Sequence, residues 1–182
     1  MRHMLSAAVL AAVCAEPVAA EEFKWAGTTD PQTMDPHAVN SAPVLGFLNN
    51  VYEGLVRRGK DMSIEPALAT SWEPIGDGEG WRFHLREGVT FHDGSAFDAE
   101  DVVWTLTKYS DPETGARSQA SVSWIDTVEA VDPMTVRIVS KTPFPSAMEF
   151  IAGSLPIYPS DYAEEVGMQG FAQAPIGTGP YQ

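Results

Sequence analysis

The segment spanning residues 81–106, WRFHLREGVTFHDGSAFDAEDVVWTL, constrains the fold of this 182-residue chain more than any other. Its first residues alternate between apolar and polar, with Trp81, Phe83 and Leu85 on one face, which predicts a strand with one buried face. A shorter run, Trp72–Ile75, precedes it across the glycine-rich stretch GDGEG. The two runs therefore predict a half-buried antiparallel hairpin.

The second half of the same segment predicts a helix. Asp93-Gly94 favours a tight turn, and Asp98 then stands where a helix N-cap is expected. Glu100 and Asp101 follow in the first turn, where carboxylates accept from unpaired N–H groups and lie at the positive end of the helix dipole. The buried side of this helix is expected to carry Val102, Val103 and Leu106.

Similar patterns predict the remaining elements. Two runs, at residues 123–131 and 135–140, predict a second hairpin around Asp132-Pro133. Apolar residues at helical spacing predict helices over residues 43–52, near 145–152 and from about 159, the first of them opened by Pro43. Residues 22–27 are short and alternating enough to form an opening strand.

His84, His92 and the acids around them raise the question of a metal or proton-transfer site in residues 81–106. A metal site needs several donors that converge, and the spacing of these histidines provides no such pattern. Asp98, Glu100 and Asp101 are accounted for by helix capping. Because the chain also lacks a G-x-S-x-G nucleophile motif, we predict neither an enzyme nor a metal or cofactor site, and the histidines are interpreted as exposed or backbone-bonded residues.

The first twenty residues, MRHMLSAAVLAAVCAEPVAA, are typical of a signal peptide. A basic start precedes a short apolar run, and Val18-Ala19-Ala20 places small side chains at the cleavage site, although cleavage after Ala15 would also fit. Cys14 is the one cysteine, and lipidation there is an alternative that the preceding Val13 fits poorly. We therefore expect an exported chain that is stabilised by its core without disulfides.

The charge of the chain excludes some classes of partner. The formal net charge is −14, whereas nucleic acids require a basic face. Hydrophobic residues make up 44% and charged residues 20% of the chain, as is normal for a globular protein. We therefore expect a folded protein that does not bind nucleic acid.

Residues 66–106, PALATSWEPIGDGEGWRFHLREGVTFHDGSAFDAEDVVWTL, closely resemble the family 5 extracellular solute-binding proteins, the peptide-, glutathione- and nickel-binding receptors of bacterial ABC importers. The shared pattern is a P-x-L-A-x-S-W opening, an L-R-x-G-V-x-F-H-D-G strand and turn, and an x-D-V-x-x-[ST]-L helix. TMDPHAVNSAPVLGFLNNVYEGL at 33–55 is similar to the family's D-P-H loop, helix and Y-E-G-L element. TPFPSAMEFIA and PIGTGPYQ resemble its later landmarks.

The resemblance implies a periplasmic receptor that encloses a small solute, such as a peptide, between two lobes and delivers it to an ABC permease in the inner membrane. The implied fold is α/β, periplasmic-binding-protein-like (class II), and the receptor is expected to be a monomer without a cofactor. On this basis residues 1–20 are the signal peptide, 21–53 the start of lobe I, 54–168 an additional α+β subdomain of lobe I and 169–182 a return to lobe I. The chain is interpreted as an N-terminal portion of such a receptor.

The resemblance also implies where a solute would bind. The loop after Asp35-Pro36-His37 faces the cleft, and the positions matching its ligand-facing residues are Asn40, Ser41 and Ala42. The loop at residues 117–121 is expected to approach the solute from the subdomain. Two alternatives stay open: Asn40 and Ser41 as a cap for the helix that follows, and the whole chain as a stand-alone secreted sensory or chaperone-like module, or as a secreted hydrolase.

Overall fold

Helices and short antiparallel strands alternate along the chain. The computed structural model describes residues 31–39, 41–117 and 119–182, so the segment predicted to be a signal peptide, the strand expected at 22–27 and Asn40 lie outside the described residues. The elements are α1 (Ala42–Leu48), β1 (Val56–Arg58), β2 (Ile64–Pro66), β3 (Ala69–Ile75), β4 (Gly80–Leu85), α2 (Ala99–Ser110), α3 (Gln119–Val122), β5 (Ile125–Asp132), β6 (Thr135–Ser140), α4 (Ala147–Ser154) and α5 (Ser160–Gln173).

The larger sheet has four antiparallel strands in the order β3-β4-β6-β5. Both predicted hairpins are confirmed, and they join edge to edge through the pairing of β4 with β6, in which Phe83 lies opposite Val136. The predicted alternation in β4 is also confirmed, since Phe83 and Leu85 are buried while His84 between them is exposed. A separate two-stranded sheet pairs β1 with β2.

Helix α2 begins at the predicted cap and packs against β5. The Asp98 carboxylate accepts from the Glu100 amide at 2.8 Å, and the Asp101 carboxylate accepts from the Asp98 amide at 3.1 Å. Asp101 is buried and also accepts from the amide and the hydroxyl of Ser160 at 2.8 and 2.9 Å. One carboxylate therefore fixes the first turns of both α2 and α5.

Helix α1 is shorter than predicted. It ends at Leu48 rather than reaching Tyr52, and Asn49–Val51 form turns. The side-chain amide of Asn50 donates to the carbonyl oxygen of Phe47 at 2.9 Å, which satisfies an acceptor that helix continuation would have used.

Helix α5, predicted to begin near residue 159, is interrupted at Gly167, whose φ of 66° and ψ of 168° are not helical. Both parts of α5 contribute to a single hydrophobic core, through Ala163 and Phe171. The same core contains α1 and one face of the larger sheet, so residues on either side of the expected domain boundaries at 54 and 168 pack together.

Candidate functional site

The predicted ligand-facing loop leads directly into α1. Ser41 occupies the N-cap position with an extended backbone (φ −133°, ψ 111°), but its side chain makes no capping hydrogen bond among the described residues. Ala42 is exposed. The alternative interpretation of Ser41 as a helix-entry cap is confirmed for its backbone position, although its hydroxyl makes no capping hydrogen bond.

Before this loop, Asp35 is buried and orders a short turn. Its carboxylate accepts from the His37 amide at 2.9 Å and from the Tyr158 hydroxyl at 2.6 Å. The three residues Pro36–Ala38 form a single 3₁₀ turn, which the Asp35 carboxylate caps. The turn that precedes the loop is thereby joined to a residue 123 positions further along the chain.

His37 is buried and contacts two aromatic rings. Its ring lies parallel to that of Tyr109, with centroids 3.7 Å apart, and meets the Tyr158 ring edge-on at 5.2 Å. Its Nε2 lies 3.2 Å from the carbonyl oxygen of Pro156, and because a carbonyl only accepts, Nε2 carries the proton. Burial lowers the pKa of His37 to about 4, so the imidazole is neutral at neutral pH.

Three tyrosines complete this group. Tyr52 donates to the carbonyl oxygen of Met34 at 2.8 Å, Tyr158 donates to Asp35, and the Tyr109 hydroxyl lies 3.6 Å from the sulfur of Met168. Burial raises the pKa of each phenol above its ordinary value, so all three remain protonated donors. We call Asp35, His37, Tyr52, Tyr109 and Tyr158 the Asp35 cluster.

The second predicted loop meets the first at this cluster. The Arg117 amide donates to the carbonyl oxygen of His37 at 3.0 Å, and the Arg117 side chain is exposed. A recess of about 260 Å³ opens between the turn that precedes the first loop and residues 114–117, lined in part by His37, Arg117 and Met168. The prediction of a loop over 117–121 is wrong from Gln119 onward, because α3 begins there, and Ser118 is outside the described residues.

His92 is bound to the backbone of a distant segment. Its Nδ1 accepts from the Gly177 amide at 3.2 Å, and its Nε2 lies 2.7 Å from the carbonyl oxygen of Gly179, which fixes the Nε2–H tautomer. The His92 amide also donates to the Gly177 carbonyl at 3.0 Å. The prediction of a backbone-bonded histidine is confirmed, although its partners lie 85 and 87 residues away rather than in the turn.

The segment held by His92 also closes against the end of α1. The Gly179 amide donates to the Val51 carbonyl at 2.9 Å, and the Tyr181 amide donates to the Asn50 carbonyl at 3.1 Å. His92 and the GTGPY segment therefore have a structural role, since their hydrogen bonds join the turn at Asp93-Gly94 and the end of α1 to the last residues of the chain.

Within residues 31–39, 41–117 and 119–182, no three His, Cys, Asp or Glu side chains are grouped closely enough to hold a metal ion. None of the helices described in those ranges is long and apolar enough to cross a membrane.

Comparison with known protein families gives one extended match. Residues 63–182 match the family described as "Bacterial extracellular solute-binding proteins, family 5 Middle". A glutathione-binding protein from Pectobacterium atrosepticum is 35% identical over 187 aligned residues, which cover 100% of this chain and 35% of that relative. This chain thus spans about a third of the length of the curated relative it matches.

Solved structures show the same fold. NikZ from Campylobacter jejuni in complex with Ni(L-His) superimposes with a TM-score of 0.75 and 29% identity, over 85% of this chain and 31% of NikZ. The periplasmic binding protein DppA from Helicobacter pylori, in complex with the peptide STSA, superimposes with a TM-score of 0.74 and 29% identity, over 84% of this chain and 34% of DppA. These matches confirm the predicted periplasmic-binding-protein-like fold.

Proposed function

Because the chain belongs to the bacterial extracellular solute-binding proteins of family 5, we propose that it acts in the periplasm as a substrate-binding component of an ABC importer. The observation that carries this proposal is the family match over residues 63–182. The relatives named above bind glutathione, a peptide or a nickel–histidine complex. We therefore propose a small polar solute, with peptides as the first class to test.

The proposed binding is non-covalent and needs no catalytic group. The relatives from Pectobacterium atrosepticum and Helicobacter pylori are described as binding proteins. In the Asp35 cluster the phenols are protonated and the imidazole is neutral, and each of these side chains is held by its neighbours. These buried groups order the turn that precedes the proposed binding loop. The proposed receptor is a monomer that hands its solute to a permease in the inner membrane.

We place the solute beside Asn40, Ser41 and Ala42, with Arg117 approaching from the other loop. Two facts about described residues support this placement: Ala42 is exposed, and the Ser41 hydroxyl is not used for helix capping. The exposed guanidinium of Arg117 would suit a carboxylate of a peptide, because arginine binds carboxylates through paired N–H donors.

The function is tested in the native host. Cells in which this gene is disrupted are compared with complemented cells for uptake of labelled glutathione and of a labelled dipeptide, and the protein is recovered from the periplasmic fraction for native mass spectrometry. We expect uptake of at least one solute to fall and to return on complementation. Unchanged uptake of both solutes, together with a protein confined to the cytoplasm, would contradict the proposal.

The placement of the solute is tested with a bulky substitution. Ala42→Trp should reduce the chemical-shift changes that millimolar glutathione produces in Arg117 and its neighbours. Ala130→Trp is the matched control, because Ala130 is an exposed alanine on β5. Equal responses from both variants would argue against this surface.

A further inference from the structure

We propose that Asp35 and Tyr158 are positioning residues whose hydrogen bond holds the ligand-facing loop against the loop that carries Arg117. The proposal rests on the proposed function only in calling the first loop ligand-facing. The contact itself, and its effect on the two loops, can be measured without any solute.

Tyr158 connects the hydrophobic core to the turn that precedes the ligand-facing loop. Its backbone amide donates to the hydroxyl of Thr105 at 3.1 Å, which fixes one end to the buried face of α2. Its ring is stacked on Phe171 with centroids 4.3 Å apart, and its hydroxyl reaches Asp35 at the other end. The hydroxyl position is therefore set by α2 and α5, which belong to the folded core.

The Asp35 carboxylate links the Tyr158 hydroxyl to the backbone of the turn. The oxygen that accepts from Tyr158 also accepts from the His37 amide, so one atom joins the core to the backbone of the turn. Hydrogen bonds to an ionised group are roughly twice as strong as neutral ones, and a buried site strengthens them further. Burial raises the pKa of Tyr158, which keeps the hydroxyl a donor throughout the physiological range.

The backbone of the turn is in turn hydrogen-bonded to the second loop, at Arg117. The His37 carbonyl accepts from the Arg117 amide, and the Ala38 amide donates to the Asp35 carbonyl at 3.2 Å. Loss of the Tyr158 hydroxyl should loosen both of these bonds, whereas the pairing of Phe83 with Val136 in the sheet does not depend on it. The amides of Ala38 and Arg117 are therefore local reporters of the contact.

The test is amide hydrogen exchange on the full chain carrying Tyr158→Phe. This change keeps the ring and its stacking on Phe171 but removes the donor to Asp35. We expect exchange at Ala38 and Arg117 to accelerate by about tenfold, because a buried carboxylate is left short of a donor. Exchange in β4 and β6 should change much less.

Two further variants sharpen the result. Tyr162→Phe is the matched control, since it also removes a tyrosine hydroxyl that donates a hydrogen bond, in this case to the backbone carbonyl of Ala174 at 2.8 Å. It should leave Ala38 and Arg117 unchanged. Asp35→Asn keeps the shape of the acceptor but removes its charge, and a smaller acceleration at the same two amides is expected.

Two kinds of result would overturn the proposal, and another would separate it from the placement of the solute. Unchanged exchange at Ala38 and Arg117 in Tyr158→Phe would show that the contact positions nothing. A uniform acceleration that includes β4 and β6, or a variant that does not fold, would assign Tyr158 to general stability instead. If the loops loosen while uptake of labelled glutathione and dipeptide is unaffected, the positioning role stands and the placement of the solute is wrong.

Discussion

Gly177 lies where two backbones approach too closely for any side chain. A Cβ atom at this position would collide with the carbonyl oxygen of Val51 and would lie 2.9 Å from the Tyr52 ring. Gly177→Ala should therefore lower the free energy of unfolding by about 2 kcal/mol or more, because rigid backbone cannot move aside cheaply. Urea denaturation of the purified chain measures this change.

Gly46 provides the control for that experiment. It lies inside α1, and a Cβ there meets nothing within 4 Å. Gly46→Ala should stabilise the chain by roughly 0.5–1 kcal/mol, since alanine favours the helix more than glycine does. A similar effect of both substitutions, in sign or size, would contradict the steric argument.

His37 makes stability depend on pH in a defined window. Burial lowers its pKa in the folded chain to about 4, below the ordinary value of 6.5. Between these values the unfolded chain binds a proton that the folded chain does not, so stability falls as the pH falls from 6.5 to 4. Below about pH 4 this residue contributes no further loss. The shift corresponds to about 3 kcal/mol at most.

Comparison of variants isolates this contribution from that of the carboxylates. His37→Phe keeps a flat ring beside Tyr109 but cannot titrate, so its free energy of unfolding at neutral pH should be lower and should change less between pH 6.5 and 4.5. His84→Phe, at an exposed position, should keep the slope of the parent chain. Equal slopes in all three proteins, measured by denaturation at each pH, would refute the assignment to His37.

Among the elements, α2 and α5 should lose stability together when Asp101 is changed. Its carboxylate accepts three hydrogen bonds, one from Asp98 and two from Ser160. Asp101→Ala should cost about 2–4 kcal/mol, because half-buried donors at two helix starts lose their acceptor. Glu100→Ala, at the exposed neighbouring position, should cost much less. Thermal and urea unfolding that rank the two variants equally would contradict this account.

The elements were predictable where the signal is local. The alternation around Phe83 and the cap at Asp98 are confirmed, since strand period and capping involve neighbouring residues only. Helix α1 was predicted too long because Asn50 and Val51 form turns after Leu48, which helical periodicity does not reveal. The four-residue α3 is too short to produce a periodic signal.

The sequence predicted individual residues of the candidate site but not the contacts between them. Asp35-Pro36-His37 and His92 were singled out from the sequence, but their partners were not. Tyr158 lies 123 residues from Asp35, and Gly177 lies 85 residues from His92. Pattern along the chain carries no information about partners at such separations, so these contacts required the structure.

For the whole molecule, we expect weak binding of a solute, since the recess that Arg117 lines is small. Its volume of about 260 Å³ lies below the roughly 300–1,000 Å³ of sites that enclose a drug-sized ligand. We expect calorimetry on the 182-residue chain to show glutathione binding weaker than micromolar. The full-length glutathione-binding protein from Pectobacterium atrosepticum would serve as the positive control. Micromolar or tighter binding by this chain would contradict the expectation.

The long-range partners of the D-P-H turn also set an order in which the protein can fold. Asp35 and His37 bind groups at positions 158 and 156, more than a hundred residues later in the chain. Closing loops of that length costs entropy before any contact offsets it, so such contacts form late, whereas the β3–β4 hairpin and α2 can form from neighbouring residues. We therefore expect a chain that has not finished folding to lack the ordered turn beside the proposed binding loop.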